Sequence, residues 1–181
     1  MSTICLFTAS GREDSVSNAL AAIAAQGHRV IHYDLCAPNI TGCQGCRYCH
    51  THGVCQVQDG LSGMYDDILQ SDGVIAALPI YFSGIAGQAK LWLDRLYPMM
   101  DANFVPRHPG VKILTIYTQG DPREKQFAHA INYTNYAFKL FGWELVDSIV
   151  CAGTASPDFS VRPELIARLK AAGAKFGPVN P

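Results

Sequence analysis

Ile4-Cys5-Leu6-Phe7, then the polar run Thr8-Ala9-Ser10-Gly11-Arg12-Glu13-Asp14-Ser15-Val16-Ser17, then Arg29-Val30-Ile31-His32-Tyr33-Asp34 are the stretches whose reading decides the fold. The first is a short apolar run that fits a strand buried on both faces. The polar run is a loop. After it Leu20, Ile23 and Ala24 recur at helical spacing, and the helix is expected to end near Gly27. The third stretch is a second strand, so the chain opens as a β-loop-α-β unit with parallel strands.

The same alternation continues outward. Leu61 to Gln70 reads as a helix with Leu61, Met64, Ile68 and Leu69 on its apolar side. Val74-Ile75-Ala76-Ala77-Leu78 is a third strand. It runs into Pro79-Ile80-Tyr81-Phe82-Ser83-Gly84, read as a turn, with Gly84 expected to need a conformation that only glycine tolerates. A long helix from near Gly84 is expected to carry Ile85, Leu91, Trp92, Leu93 and Leu96. Val111 to Tyr117 is a fourth strand, with Thr118-Gln119-Gly120-Asp121 as its exit loop. Pro122 is expected to open a helix through Phe141, Leu145 to Cys151 is a fifth strand, and Pro163 starts a last helix to about Lys175. Five strands alternating with five helices predict an α/β doubly wound parallel sheet of order 2-1-3-4-5, with ligands at the carboxyl ends of the strands.

A chain of 181 residues, 49% hydrophobic and 16% charged, is expected to form one domain over 1–181. The net charge of −1 offers no electrostatic footprint for nucleic acid or a membrane surface. Without a basic leader or a run of about 18 apolar residues, a soluble cytoplasmic protein is expected.

Four of the seven cysteines, Cys43, Cys46, Cys49 and Cys55, fall in one Gly-rich polar loop as C-x2-C-x2-C-x5-C. The loop runs from about Leu35 to Gly60, a length that a compact domain reserves for a functional insertion. Four loop thiols suit an iron–sulfur cluster, a zinc ion, or redox-active and disulfide-forming pairs. Three cysteines at two-residue gaps plus a fourth fit the corners of a cubane better than zinc, whose sites more often use two C-x2-C knuckles on a long spacer. His50 and His52 inside the loop keep zinc open.

In a doubly wound fold the loops after strands one, three and four meet at one crevice. The first offers Ser10, Ser15 and Ser17, with Arg12 between them, at a helix N-terminus whose amides favour an anion. It contains no Walker or dinucleotide glycine pattern. The second puts Tyr81 and Phe82 where they can flank a planar ring, and the third brings the backbone of Gly120 close to a ligand. One phosphate plus a ring slot suits a mononucleotide, flavin mononucleotide (FMN) in particular.

Ala9 to Ser17 resembles the G-S-P-R-x-x-[GS]-N-[ST] phosphate loop of the NAD(P)H-dependent FMN reductase group of flavodoxin-like proteins. Gly11 stands for its Pro, Val16 for its Asn and Ala9 for its Gly, so Val16 could contribute only its backbone amide. Pro79 to Phe82 with Gly87, Lys90, Asp94 and Arg95 is similar to that group's P-x-Y-[FW]…G-x-x-K-x-x-[IL]-D-R signature. The cysteine run, with Asp59 downstream, resembles the cluster motif of the iron–sulfur flavoprotein branch. The resemblance implies a flavodoxin-like FMN oxidoreductase. Its FMN contacts would be Ser10, Arg12, Ser15, Val16 and Ser17, Pro79 to Gly84 (Pro79, Ile80, Tyr81, Phe82, Ser83, Gly84), and Thr118, Gln119 and Gly120. Cys43, Cys46, Cys49 and Cys55 would ligate a [4Fe–4S] cluster, NAD(P)H would be the co-substrate, and a homodimer or homotetramer would bring cluster and flavin of different subunits together.

Two other readings are a cluster-free reductase of quinone, nitro or azo compounds and a flavodoxin-type electron carrier. A zinc-stabilised domain without flavin is a third. Carriers are typically strongly acidic, against the net charge of −1 here. No side chain is assigned a catalytic role. Lys90 and Asp94 read as an i,i+4 pair and Arg95 as structural, Cys5, Cys36 and Cys151 as core thiols, and Trp92 and Trp143 as packing residues.

Overall fold

Side-chain alternation along buried strands sorts the core into two layers. The computed structural model describes residues 1–177, so the last four positions of the expected 1–181 domain lie outside the described residues. Along the chain come β1 (Thr3–Thr8), α1 (Val16–Ala24), β2 (Arg29–Asp34), α2 (Tyr48–His52), α3 (Met64–Gln70) and β3 (Gly73–Tyr81). They are followed by β4 (Gly84–Ile85), α4 (Gly87–Arg95), a 3-10 turn (Tyr97–Met99), β5 (Lys112–Gln119), α5 (Ala128–Leu140), β6 (Glu144–Ala152) and α6 (Pro163–Gly173).

The main sheet is parallel in the order β2-β1-β3-β5-β6, the doubly wound order expected from the sequence once the two-residue β4 is set aside. On one face Ile4, Leu6, Ile75, Ala77, Leu114 and Ile116 pack with Leu20 of α1 and Leu169 of α6. On the other, Cys5, Phe7, Val74, Ala76, Leu78 and Tyr117 pack with Met64 and Ile68 of α3, Trp92 of α4 and Phe138 of α5. Trp92 stacks on Phe7, with ring centroids 4.3 Å apart. Beneath α5 the buried Asn135 amide accepts from Tyr117 at 2.8 Å and Thr115 at 3.1 Å, and donates to Ser148 at 2.8 Å. Such a polar group is tolerated in a core because it is paired.

Several boundaries differ from the sequence expectation. The helix after the first insertion starts at Met64 instead of Leu61. Asp59 captures the amide of Leu61 (2.9 Å) and the Ser62 hydroxyl captures the amide of Asp59 (2.7 Å), holding a turn there. Ile85 lies in β4, not in α4, because Gly84–Ile85 folds back antiparallel on Ile80–Tyr81. Pro122 opens turns instead of α5, since the Asp121 carboxylate and the Gln119 amide bind local backbone groups up to Arg123. Cys5 and Cys151 are core thiols, and burial pushes the Cys5 thiol up to about 11. Cys36 is only half-buried, beside Gly11.

Helices α1 and α6 cross closely at Gly173. A Cβ there would fall well inside van der Waals contact of the Ala24 carbonyl oxygen, a backbone atom that cannot turn aside. The Gly173 carbonyl also pairs with the His28 ring at 3.1 Å. Gly173→Ala is therefore expected to cost ~1–3 kcal/mol, the usual range for an overpacked core. The measurement is a urea melt, with a lower midpoint at unchanged slope.

Candidate functional site

At the carboxyl ends of β1, β3 and β5 the chain opens a cleft of about 180 Å³. Ser10, Arg12, Ser15, Val16 and Ser17 line it from the loop after β1. Pro79, Ile80 and Tyr81 line it from β3, and Thr118, Gln119 and Gly120 from β5 and its exit. Ser15 caps α1, its hydroxyl accepting from the Asn18 amide at 3.2 Å, and stands 3.1 Å from the Ser17 hydroxyl. Ser10, Ser15 and Ser17 are buried, so their hydroxyls and the free amides of α1 present a compact polar corner. The Tyr81 hydroxyl donates to the Ser10 hydroxyl at 3.3 Å, joining this corner to β3. Arg12 is exposed and forks onto Asp14 at 3.0 and 3.1 Å, a local pairing the sequence reading did not foresee.

Thr154 and Ala155, from the loop after β6, complete the cleft. They lie beyond the three strand-exit loops expected from the sequence to form the crevice. The signal lay in Gly153, which takes φ 80° directly after the last strand. The Thr154 amide donates to the Gln119 carbonyl at 3.1 Å. A Cβ on Gly120 would stand 3.1 Å from the Ala155 Cβ, so glycine lets the two loops meet. Gln119 turns its amide nitrogen to the carbonyls of Asp121 (3.1 Å) and Arg123 (2.8 Å), which leaves its buried Oε1 without a partner among the described residues.

Three expected contacts do not line this cleft. Phe82, Ser83 and Gly84 form the tip of the β3–β4 hairpin, and the Phe82 ring is fully exposed. The left-handed residues of the tip are Phe82 (φ 47°) and Ser83 (φ 71°), the pattern of a turn that matches strand twist. Gly84 itself has no positive φ, and nothing lies within 4 Å of a Cβ built there. The expectation that the turn depends on glycine at 84 is thus corrected: the unusual backbone sits two residues earlier.

A second cavity, of about 290 Å³, lies in the insertion between β2 and α3. Cys43, Cys46, Cys49 and Cys55 all line it, with Arg47, His50, Asp94, Arg95 and Tyr97. All seven cysteines are free thiols. Burial pushes the Cys49 thiol up, and the neighbouring Cys55, Cys43 and Cys46 push it further, so the four sulfurs share one electrostatic neighbourhood. No three His, Cys, Asp or Glu groups among the described residues converge tightly enough to hold a single ion as they stand. The loop holds a short helix, α2, that its composition concealed, with Tyr48 stacked on His52 at 3.8 Å.

Arg95, read from the sequence as structural, closes the insertion. Its guanidinium pairs with Asp59 at 2.6 Å and takes the Thr41 carbonyl at 2.6 Å and the Val57 carbonyl at 3.3 Å. Burial alone would raise the Asp59 carboxyl. The Arg95 fork and the amides of Thr41 and Leu61 outweigh it and hold the group below its usual range. Lys90 and Asp94 form the expected exposed i,i+4 pair at 2.5 Å.

A family model described as the flavodoxin-like fold matches residues 4–172, nearly the whole chain. The chain belongs to that family. It is 32% identical over 84 residues to an iron–sulfur flavoprotein of Methanocaldococcus jannaschii, covering 46% of this chain and 44% of that one. It is 27% identical over 124 residues to an iron–sulfur flavoprotein of Archaeoglobus fulgidus, covering 68% and 54%. The matches thus span about half the length of these relatives. Among solved structures, the NAD(P)H:quinone oxidoreductase of Methanothermobacter marburgensis superposes with a TM-score of 0.76 at 15% identity, over 99% of this chain and 98% of that one. An azoreductase of Bacillus anthracis superposes with 0.67 at 18%, over 97% and 99%. At such identities the likeness is one of fold.

Among the described residues of this flavodoxin-like chain no helix is long and apolar enough to cross a membrane. Its insertion depends on a charge pair, which makes the pair testable. Arg95→Met would leave the Asp59 carboxylate buried and unpaired, at an expected ~3–5 kcal/mol in a urea melt. Because the folded Asp59 carboxyl titrates below its unfolded value, its contribution is fully present above that value, about 3.9. It is lost as pH falls through the lower folded value. The protection of the Thr41 and Leu61 amides against hydrogen exchange, taken relative to the intrinsic rate at each pH, is expected to fall through that window as the carboxylate is protonated.

Proposed function

We propose that this chain is an FMN-dependent oxidoreductase working with NAD(P)H, and that Cys43, Cys46, Cys49 and Cys55 hold a [4Fe–4S] cluster exchanging electrons with the flavin. The observation that carries the flavin reading is the convergence of buried hydroxyls, a capped helix N-terminus and an aromatic wall in one cleft at the strand ends. The residues fit the group. Ser10, Ser17 and the first amides of α1 suit a phosphate, Tyr81 can flank the ring, and the unpartnered Gln119 Oε1 can accept an N–H from its polar edge. Pro79, Ile80, Thr118 and Gly120 shape the slot, and Phe82, Ser83 and Gly84, on the hairpin tip that follows Tyr81, would add contacts from outside it. Bound there, FMN supplies two-electron acceptance with one-electron release, and a cluster supplies one-electron exchange.

The cluster reading rests on four thiols in one cavity roomy enough for more than a single ion. It is supported by relatives that are named iron–sulfur flavoproteins. A cluster-free NAD(P)H reductase of quinone, nitro or azo compounds is the second reading, favoured by the absence of a convergent ligand set among the described residues. In either case the chain acts as a single cytoplasmic domain that associates as a homodimer or homotetramer and exchanges electrons with a small molecule or a protein.

Ser10→Ala with Ser17→Ala is expected to weaken FMN binding about tenfold or more in a fluorescence titration, at about 1 kcal/mol for each lost hydrogen bond. Unchanged affinity would move the phosphate elsewhere. Anaerobic reconstitution with iron and sulfide is expected to load about four irons per chain, as a [4Fe–4S] formula demands, and a Cys49→Ala protein far fewer. A wild type that takes up no iron yet reduces FMN with NAD(P)H would establish the cluster-free reductase.

A further inference from the structure

Arg95 is 1% exposed and forms part of the wall of the thiol-lined cavity. A guanidinium has five N–H donors in a fixed plane. Nη1 serves the Thr41 carbonyl and Asp59 Oδ2, both at 2.6 Å. Nη2 serves Asp59 Oδ1 at 3.1 Å and the Val57 carbonyl at 3.3 Å. The fifth donor, Nε–H, is buried and has no acceptor among the described residues. Native interiors seldom leave a buried donor unpaired without a use for it.

The geometry narrows what it can serve. Arg95 cannot easily turn away, because its own carbonyl accepts from the Tyr65 hydroxyl at 2.7 Å and Asp59 is fixed by the Thr41 amide at 2.8 Å and the Leu61 amide at 2.9 Å. The acceptors that share the cavity with Arg95 are sulfurs, since Cys43, Cys46, Cys49 and Cys55 line it together with the arginine. We propose that the Nε–H of Arg95 donates a hydrogen bond to a sulfur of the metal-loaded site in this cavity, which makes Arg95 a positioning residue that sets the reduction potential of the site. The inference rests on the reading that the four cysteines hold a cluster. Asp59 already balances the charge of Arg95, so the directional N–H is what acts on the sulfur. A donor there draws negative charge from the sulfur, favours the reduced state and raises the potential.

The test uses anaerobically reconstituted full chains of wild type and Arg95→Lys. Iron and sulfide are counted per chain, and the reduced cluster is followed by electron paramagnetic resonance through a redox titration. Lysine keeps the charge facing Asp59 and removes the Nε–H. The expected result is iron content equal to wild type, with a reduced-to-oxidised ratio at fixed potential about tenfold lower, ~59 mV more negative for one electron. A purely structural role would lower loading and leave the potential of the loaded fraction unchanged, and that result would overturn the proposal. Should the lysine protein not load, wild type grown with nitrogen-15 arginine decides. A hyperfine coupling from one arginine nitrogen to the reduced cluster is expected, and its absence overturns the proposal. A wild type that takes up neither iron nor sulfide overturns the cluster reading and this inference with it. A loaded wild type without coupling overturns this inference alone.

Discussion

The ion pair between Arg95 and Asp59 ties the end of α4 to the far end of the long insertion between β2 and α3. The Asp59 carboxylate also holds the Thr41 amide, and the Arg95 fork holds the Thr41 and Val57 carbonyls, so one pair of charges closes both ends of the cysteine segment. A segment this polar has little apolar surface with which to define itself. A desolvated charge pair substitutes for a core, because separating its members would strand each charge away from water. The helix that brings Arg95 to this point is fixed independently, through Trp92 against Phe7 and Phe138. The order of dependence therefore runs from sheet to α4, from α4 to Arg95, and from Arg95 to the thiols.

The cleft depends on different elements. Its polar corner stands where β1 gives way to α1, and its floor where Gln119 locks the exit of β5. Both are set by parallel strands buried on two faces, whose register leaves neither strand free to slide without exchanging its two layers. Cleft and thiol cavity share no lining residue. Each can therefore be disturbed without directly disturbing the other.

How much of this was legible depended on range. The strands at the centre of the sheet announced themselves as unbroken apolar runs, and their alternation with helices gave the sheet order. The edge strand β2 was legible through Ile31 and Tyr33, although its remaining residues are exposed. Helix starts were misplaced where side chains compete for backbone groups, at Asp59 before α3 and at Asp121 before α5. The β3–β4 hairpin was illegible because its tip is Phe82-Ser83, without the Asn-Gly pair that ordinarily betrays such a turn. Arg95 was visible as a motif residue, but its partner lies 36 positions earlier and no local pattern links the two. The four cysteines were conspicuous by spacing alone, and the cavity they share is what the chain's folding added.

The hairpin tip carries a further consequence. Phe82 and Ser83 occupy a backbone region where a side-chain-bearing residue has few alternatives, and the strand pairing on both sides holds them there. The exposed Phe82 ring is thus presented to solvent on a stiff mount. The backbone share of the conformational entropy that a loose aromatic would surrender on contact has already been given up during folding. A molecule that meets this tip finds a ring whose backbone is already ordered, so that only the side-chain torsions of Phe82 remain to be fixed.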